Sequence, residues 1–414
     1  MSTTTKTPAT PSLLERLTKG WFYLALLGIA VVSLVRIVTD TNDLDSAGTI
    51  RAAIIATCPI LMAALGGLWA ERAGVVNIGL EGQMILGTWG AAFFTYHYGP
   101  WIGILGAALL GLIGGLMHAV ATVTFGVDHI VSGVAINLIG AGAATYLAEA
   151  VFSDYNGGGP RQLVGLDPPT NITIPGISDW SLDLADKHWF FVSDIASVVA
   201  ALTTRISSLS VVVFALVALS AFLLWRTSFG LRLRSCGENP QAAETLGVNV
   251  IRYKYIAVLI SGALAGIGGG FLALVSSSGY SANQTGGRGY IGLAAMIFGN
   301  WRPSGLLAGA LTFGYTDSLR LRDADAVHAL LLLVALGLLV LAVLRLVRKQ
   351  VEGAIVMGVA GAAILAWFLF TDSVPREFTV MTPYVTTLFV LALGAQRLRM
   401  PAADGKPYRK GSAG

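Results

Sequence analysis

Ten apolar runs are long enough to cross a hydrocarbon layer of about 30 Å. They lie near 21–39, 50–70, 78–96, 101–125, 130–152, 207–226, 255–275, 327–345, 354–371 and 379–396. This pattern predicts an all-α fold, a polytopic transmembrane helix bundle. A further apolar segment, 290–320, is interrupted by Gly299, Asn300, Trp301, Arg302 and Pro303, and its first arm, Tyr290 to Phe298, is too short to cross alone. Lys and Arg set the orientation, because loops on the cytoplasmic side carry the excess. Four groups, at the N-terminus, in 226–254, after 345 and in the tail, hold 16 of the 27 basic residues. All four fall on one side only if 290–320 enters and leaves by the same face, as a re-entrant or broken hairpin. Irregular backbone at that depth must be buried in protein or line a cavity. The expectation is ten spans plus this hairpin, with both termini cytoplasmic.

On this reading residues 1–20 are a cytoplasmic segment, 21–396 the transmembrane domain and 397–414 a basic cytoplasmic tail. The first 20 residues lack a cleavable signal pattern, since the run after Trp21 is too long and no small-residue cleavage site follows it. The outer insertion, 153–206, carries six Asp and turn-rich stretches such as YNGGGPRQ and DPPTN, and is expected to be irregular. Its Trp180, Trp189, Phe190 and Phe191 suit a membrane interface. The segment 276–290 is polar and Gly-rich, either a vestibule wall or a plain loop.

Composition sharpens this picture. Only 12% of the residues are charged, against about a quarter in soluble proteins, and mean hydropathy is +0.71. Lipid is therefore a partner. The net charge of +4 carries no nucleic-acid signal. Gly262, Gly266 and Gly270 recur every fourth residue, as do Gly111 and Gly115, a spacing that lets membrane helices pack closely. Cys58 and Cys236 sit in an apolar run and a basic loop, unsuited to pairing with each other.

No catalytic constellation is present, and the five His show no metal-ligand spacing. The phosphate-binding G-x-x-x-x-G-K-[ST] pattern is missing, so a pump of this sequence needs its nucleotide bound by another chain. GLWAERAGVVNIGLEGQM, residues 67–84, places Glu71 and Arg72 as a candidate pair, then Asn77, Glu81 and Gln83 at the start of the third run. An acid inside a membrane segment is a functional candidate by default. Two readings stand for Glu81: a carboxylate favoured by its own helix's N-terminal dipole, with Asn77 as N-cap, or a pathway-lining group. Asn137, mid-span, reads as an interhelix hydrogen-bonding residue or a substrate contact. Asn300 reads as a turn residue or a pathway residue. Asn77, Glu81, Gln83, Asn137 and Asn300 are thus the candidate pathway set.

A polar island, RLRSCGENPQAAETLGVNVIRYK, occupies 232–254 within the expected loop 227–254. Asn239 is a natural N-cap, Pro240 suits the first helical position and Gly247 can close the far end. One to two turns cannot hold themselves together in water. Such a helix must be braced by its own protein and by something it touches, which marks a docking surface.

GENPQAAETLGVN, followed by the Gly-striped SGALAGIGGGFLAL, resembles the cytoplasmic coupling region of ATP-binding-cassette importer permeases of the ribose/branched-chain amino acid class. ERAGVVNIGLEGQM and GLAAMIFGNWRPSG resemble the nucleoside permease subfamily within it, and the likeness covers most of 50–345. The resemblance implies a non-enzymatic transporter subunit in a bacterial plasma membrane. It also implies an ATPase partner that binds ATP and Mg, a second permease subunit (a paralogue), and an extracellular substrate-binding lipoprotein; the chain itself holds no cofactor. It makes Glu238, Asn239, Pro240, Gln241, Ala242, Ala243, Glu244 and Gly247 the ATPase-coupling residues. The competing class is an ion-coupled secondary transporter, supported by Glu81 and the broken segment but lacking a half-to-half repeat. The same machine working on a monosaccharide or a branched-chain amino acid is the other alternative.

Overall fold

The structure, a computed structural model, describes residues 28–320, 324–347, 349–371, 373–375, 398–409 and 411. The expected last span, 379–396, and the segment 1–20 lie outside the described residues. The helices are α1 (Gly28–Thr39), α2 (Ala47–Arg72), α3 (Leu80–Tyr98), α4 (Pro100–Ala119), α5 (His129–Phe152), α6 (Ile177–Ala185), α7 (Val192–Thr203) and α8 (Ser208–Arg226). They continue with α9 (Ser228–Glu238), α10 (Pro240–Thr245), α11 (Val250–Phe271), α12 (Arg288–Phe298), α13 (Pro303–Arg320), α14 (Ala324–Val347) and α15 (Val351–Phe370). Single π turns, Val120–Thr124 and Leu272–Ser276, extend α4 and α11. Among the described residues seven helices are long and apolar enough to span a membrane: α2, α4, α5, α8, α11, α14 and α15. The fold is a polytopic all-α membrane bundle.

Two compact units emerge from the described residues. One draws on the described residues of 28–50, 174–203 and 324–375, with α6 against α7 and α14 against α15. In it Arg36 of α1 is buried between Asp45 (3.6 Å) and Asp194 of α7 (3.3 Å), so α1 and α7 are joined by an enclosed ion cluster. The insertion is therefore not irregular as expected. The apolar positions of ISDWSLDLA and VSDIASVVAALT follow helical spacing, which the turn-rich flanks masked.

The second unit draws on the described residues of 51–173, 204–320 and 398–411. At its centre α3 packs against α4, α5, α11 and α12. Thirteen of its 19 residues are buried, Glu81 and Gln83 included. A helix enclosed by protein rather than lipid can carry polar side chains, provided they find partners. The glycine stripes make the enclosure possible. A Cβ on Gly266 would stand 2.2 Å from the Ala107 carbonyl oxygen, and one on Gly111 would stand 2.3 Å from that of Gly262. Thus α4 and α11 touch backbone to backbone.

The expected hairpin is present as a broken pair. The 11-residue α12 ends at Phe298, a tight turn follows, and α13 returns against it. Gly299 and Gly305 meet so closely that a Cβ on either would lie 2.2 Å from backbone of the other arm. The Gly-rich segment 276–290 contributes β5 (Gly279–Ser281), which extends the hairpin of β1 (Gly158–Gly159) and β2 (Gln162–Val164) in the order β1-β2-β5. Leu163 pairs with Tyr280, both buried, and Tyr280 meets Phe152 edge-on. A second pair joins β3 (Asn171–Ile172) to β4 (Ile206–Ser207).

Substituting Gly266→Leu should therefore cost about 3 kcal/mol or more, the upper range for overpacking, and abolish a stable bundle in thermal unfolding assays. Gly142→Ala on α5, where an added Cβ meets nothing within 4 Å, should instead be neutral or raise the Tm.

Candidate functional site

Two polar assemblies lie in the second unit. The first runs along the enclosed face of α3. The Asn77 amide nitrogen donates to Gln83 Oε1 (3.0 Å) and to Ser261 Oγ on α11 (2.8 Å), while its Oδ1 accepts from the Gly79 N–H. Gly79, not Asn77, occupies the N-cap position of α3. Asn77 serves the turn before the helix, because the chain needs the two residues between to reach α3. Glu81 sits in the first turn of α3, yet its carboxyl oxygens serve another helix. Oε1 accepts from Gly287 N–H (2.9 Å) and Oε2 from Gly289 N–H (2.7 Å), at the start of α12. Gly289 leaves the room, since a Cβ there would stand 2.6 Å from Glu81 Cα. The dipole argument made from sequence applies, but to α12.

Asn137 of α5 accepts from Gly82 N–H (2.7 Å) and donates to Ile78 O (3.0 Å) and Tyr290 Oη (2.9 Å). It is half-buried, and the Tyr290 side is 47% exposed. Arg288 pairs with Asp317 at 2.9 Å, tying α12 to α13. Four of the five sequence-predicted pathway residues, Asn77, Glu81, Gln83 and Asn137, thus converge on one seam. Asn300 sits elsewhere, at the tip between α12 and α13, with φ +54.

That tip belongs to the second assembly. Trp301, also at positive φ, is buried, and its indole N–H donates to Glu71 Oε2 (2.5 Å). Arg72 donates to the Trp301 carbonyl through Nη2 (2.6 Å) and Nε (3.0 Å) and pairs with Glu238 at 3.7 Å. Glu71 and Arg72 therefore do not pair with each other, as the sequence had suggested; the tip of a distant hairpin comes between their partners. Arg72 and Arg234 each lie 5.5 Å from the Trp225 ring.

The polar island is mostly helical, with α9 filling its first half. Asn239 Oδ1 caps α10 through the Ala242 N–H (3.0 Å), and Pro240 takes the first position. Gly247, at φ +81, closes it: Gly247 N–H bonds Glu244 O and Val248 N–H bonds Ala243 O, the paired pattern of a glycine-terminated helix. Ala243, 2% exposed, faces inward onto Cys236 and Val250, with Tyr408 packed beside them. Gln241, Ala242, Thr245 and Leu246 face outward, Leu246 at 84% exposure. Glu238 ends α9, exposed, and reaches Arg72 from the surface. Clefts of about 230 and 330 Å³ flank Gly247–Asn249.

Sequence reading missed the tail. Arg399 N–H donates to Asn300 Oδ1 (2.7 Å), Ala403 N–H to Gly237 O (2.8 Å) and Ala402 N–H to Glu238 Oε2 (3.3 Å). Asp404 is buried, with Glu71, Lys254 and Arg72 around it. Its carboxyl meets the Glu71 carboxyl and the Gly405 backbone N–H. The sequence signal was the lone acid, Asp404, among five basic residues after 396.

The second unit thus joins a buried polar seam, a broken helix pair and an outward-facing capped helix. The chain belongs to the family described as branched-chain amino acid transport system / permease component, whose model matches residues 49–344. It is 34% identical to the guanosine ABC transporter permease protein NupQ of Bacillus subtilis over 370 residues, 87% of this chain and 96% of that protein. It is 33% identical to the nucleoside ABC transporter permease protein NupC of Lactococcus lactis, covering 86% and 95%. Likeness to a putative glucose ABC transporter permease protein, TsgC13 of Haloferax volcanii, is 32% over 69% of this chain and 80% of that one. No solved structure matches. The protein is a multi-pass plasma-membrane permease subunit.

Burial pushes the Asp404 carboxyl from 3.8 up to about 7, against the pull of Lys254 and Arg72. Since the docked group holds a proton that a released one gives up, docking is strongest below about pH 4 and weakens as pH rises through about 7. A spin label on Lys406→Cys, selective because Cys58 and Cys236 are buried, should be more mobile at pH 8 than at pH 5.5. Asp404→Asn should flatten that difference.

Proposed function

We propose that this chain is the permease subunit of an ATP-driven nucleoside importer, with ATP bound and hydrolysed by a separate subunit seated on α10. The observation that carries the reading is α10 itself: six residues, capped at both ends, braced inward through Ala243 and presenting Leu246 to water. A large apolar side chain left exposed on a helix too short to be stable alone is explained by a partner that covers it. The nucleoside assignment rests on the names of NupQ and NupC, each aligned over most of both chains. NupB of Lactococcus lactis, a second nucleoside permease from the same organism as NupC, is also similar, at 25% identity. That supports a paralogous permease partner, and an extracellular binding protein completes the machine.

The ion-coupled alternative leaned on Glu81, and both of its carboxyl oxygens are already engaged by the start of α12. On our reading Asn77, Glu81 and Gln83 build the pathway wall, Asn137 and Tyr290 reach the substrate, and Asn300 belongs to the turn. The segment α12–α13 enters and leaves by one face. ATP binding must favour one of two states differentially, and α10 is where that preference enters the permease.

Radiolabelled guanosine uptake should appear when the chain is expressed with its ATPase and binding protein, and vanish with an inactive ATPase. Uptake that follows a proton or sodium gradient instead would overturn the reading; ATPase-dependent uptake of glucose alone would replace the substrate. Leu246→Asp should abolish ATPase co-purification while leaving the Tm unchanged. Tyr290→Phe keeps the Asn137 bonds to Gly82 and Ile78, so it should lower uptake by roughly tenfold, the worth of one hydrogen bond, with no loss of stability.

A further inference from the structure

We propose that the carboxyl-terminal segment Leu398–Arg409 is an intramolecular strap that makes α10 and the α12–α13 tip move as one body, a positioning element for the coupling step. The proposal rests on the reading of α10 given above.

Three contacts at separate points carry it. At its start, the Arg399 N–H holds Asn300 at the hairpin tip. In its middle, the Ala402 and Ala403 N–H groups hold Glu238 and Gly237, the end of α9 from which α10 springs. At its end, Tyr408 packs on the cluster Cys236, Ala243 and Val250 beneath α10 and meets the Glu244 carboxyl. Two elements some sixty positions apart in sequence thus share one short peptide.

The seat is built for it. Gly74 adopts φ +80, and a Cβ there would stand 3.2 Å from the Ala403 carbonyl oxygen and 3.1 Å from Lys254 Nζ. Lys254 is itself buried and donates to Gly74 O at 3.0 Å. Pro401, Ala403 and Asp404 are buried, while Lys406 and Arg409 face water. A six-residue helix lacks the length to persist by itself, so the Tyr408 wall is part of what holds α10 in shape. Glu71 and Arg72 tie the same tip through Trp301, and Arg72 also reaches Glu238. A push on α10 therefore has a continuous route of ion-pair and hydrogen-bond contacts to the broken helix pair.

The test compares hydrogen exchange in lipid nanodiscs for the full chain, for a chain lacking residues 398–414, and for Tyr408→Ala and Tyr408→Phe. Truncation should speed exchange at Leu246–Val248 and at Asn300–Arg302 together, by roughly tenfold, since the hydrogen bonds and packing that hold a segment closed set how often it opens. Tyr408→Ala, which keeps the chain at full length, should speed exchange at α10, and Tyr408→Phe should restore it. In the assembled transporter, truncation should leave ATP hydrolysis in place and lower guanosine uptake per ATP. Unchanged exchange at either element, or unchanged uptake per ATP despite faster exchange, would overturn the strap. Failure of the intact chain to bind any ATPase would instead sink the importer reading, and the exchange result would still decide whether the strap holds the two elements together.

Discussion

A helix of 11 residues that begins against a packed bundle leaves its first N–H groups in need of acceptors, and at the start of α12 Gly289 is buried. This constraint organises the second unit. The acceptor for α12 is the carboxyl of Glu81, which must itself lie within the bundle, so α3 has to be enclosed. Enclosure requires neighbours at backbone distance, and Gly87, Gly111, Gly262 and Gly266 supply it: a Cβ at any of them would stand about 2.3 Å from a facing carbonyl. Asn77, Gln83 and Ser261 then satisfy one another in the space that remains. Each feature removes a cost that the previous one imposes, since an unsatisfied buried N–H is worth about 1–3 kcal/mol of instability.

The same logic operates at the other end of α12. Backbone at positive φ on two consecutive residues, Asn300 and Trp301, carries strain of order 1–3 kcal/mol each and persists only where the surroundings fix it. Here they are fixed from two directions, Asn300 by the Arg399 N–H and Trp301 by Glu71 and Arg72. Strain held by partners from α2 and the tail is a natural place for two alternative arrangements, because release of one partner changes the balance for the others.

Much of this was legible beforehand. The glycine stripes could be read as close packing because four-residue spacing puts small residues on one helix face. The caps of α10 could be read because Asn, Pro and Gly each have one strong positional preference. The break at Gly299–Pro303 was equally plain. What could not be read was partnership at long range. Neither reading open for Glu81, its own helix's dipole or the pathway, pointed to α12, because sequence separation is all that a sequence displays and its partners lie some two hundred residues away. Glu71 and Arg72 were paired with each other for the same reason. The insertion concealed α6 and α7 because its flanks are rich in turn residues and its helices are short. The tail was read only as a basic charge group, and Asp404, the one acid that contradicts that description, is buried.

On the proposed function, the location of acidic residues separates pathway wall from coupling machinery. Glu81 is fully engaged by fixed N–H groups, and a carboxyl so held is poorly suited to binding and releasing a cargo in each cycle. Glu71, Glu238 and Asp404 are held by side chains and by a terminal segment, which can be rearranged without unfolding a helix. On that reading the Glu81 contacts to fixed backbone persist through a transport cycle, while the Glu238–Arg72 ion pair and the tail contacts are able to change. This argues that the conformational response to a push on α10 begins among Glu238, Arg72 and Trp301, and that the α3 seam stays intact as a rigid wall while it happens.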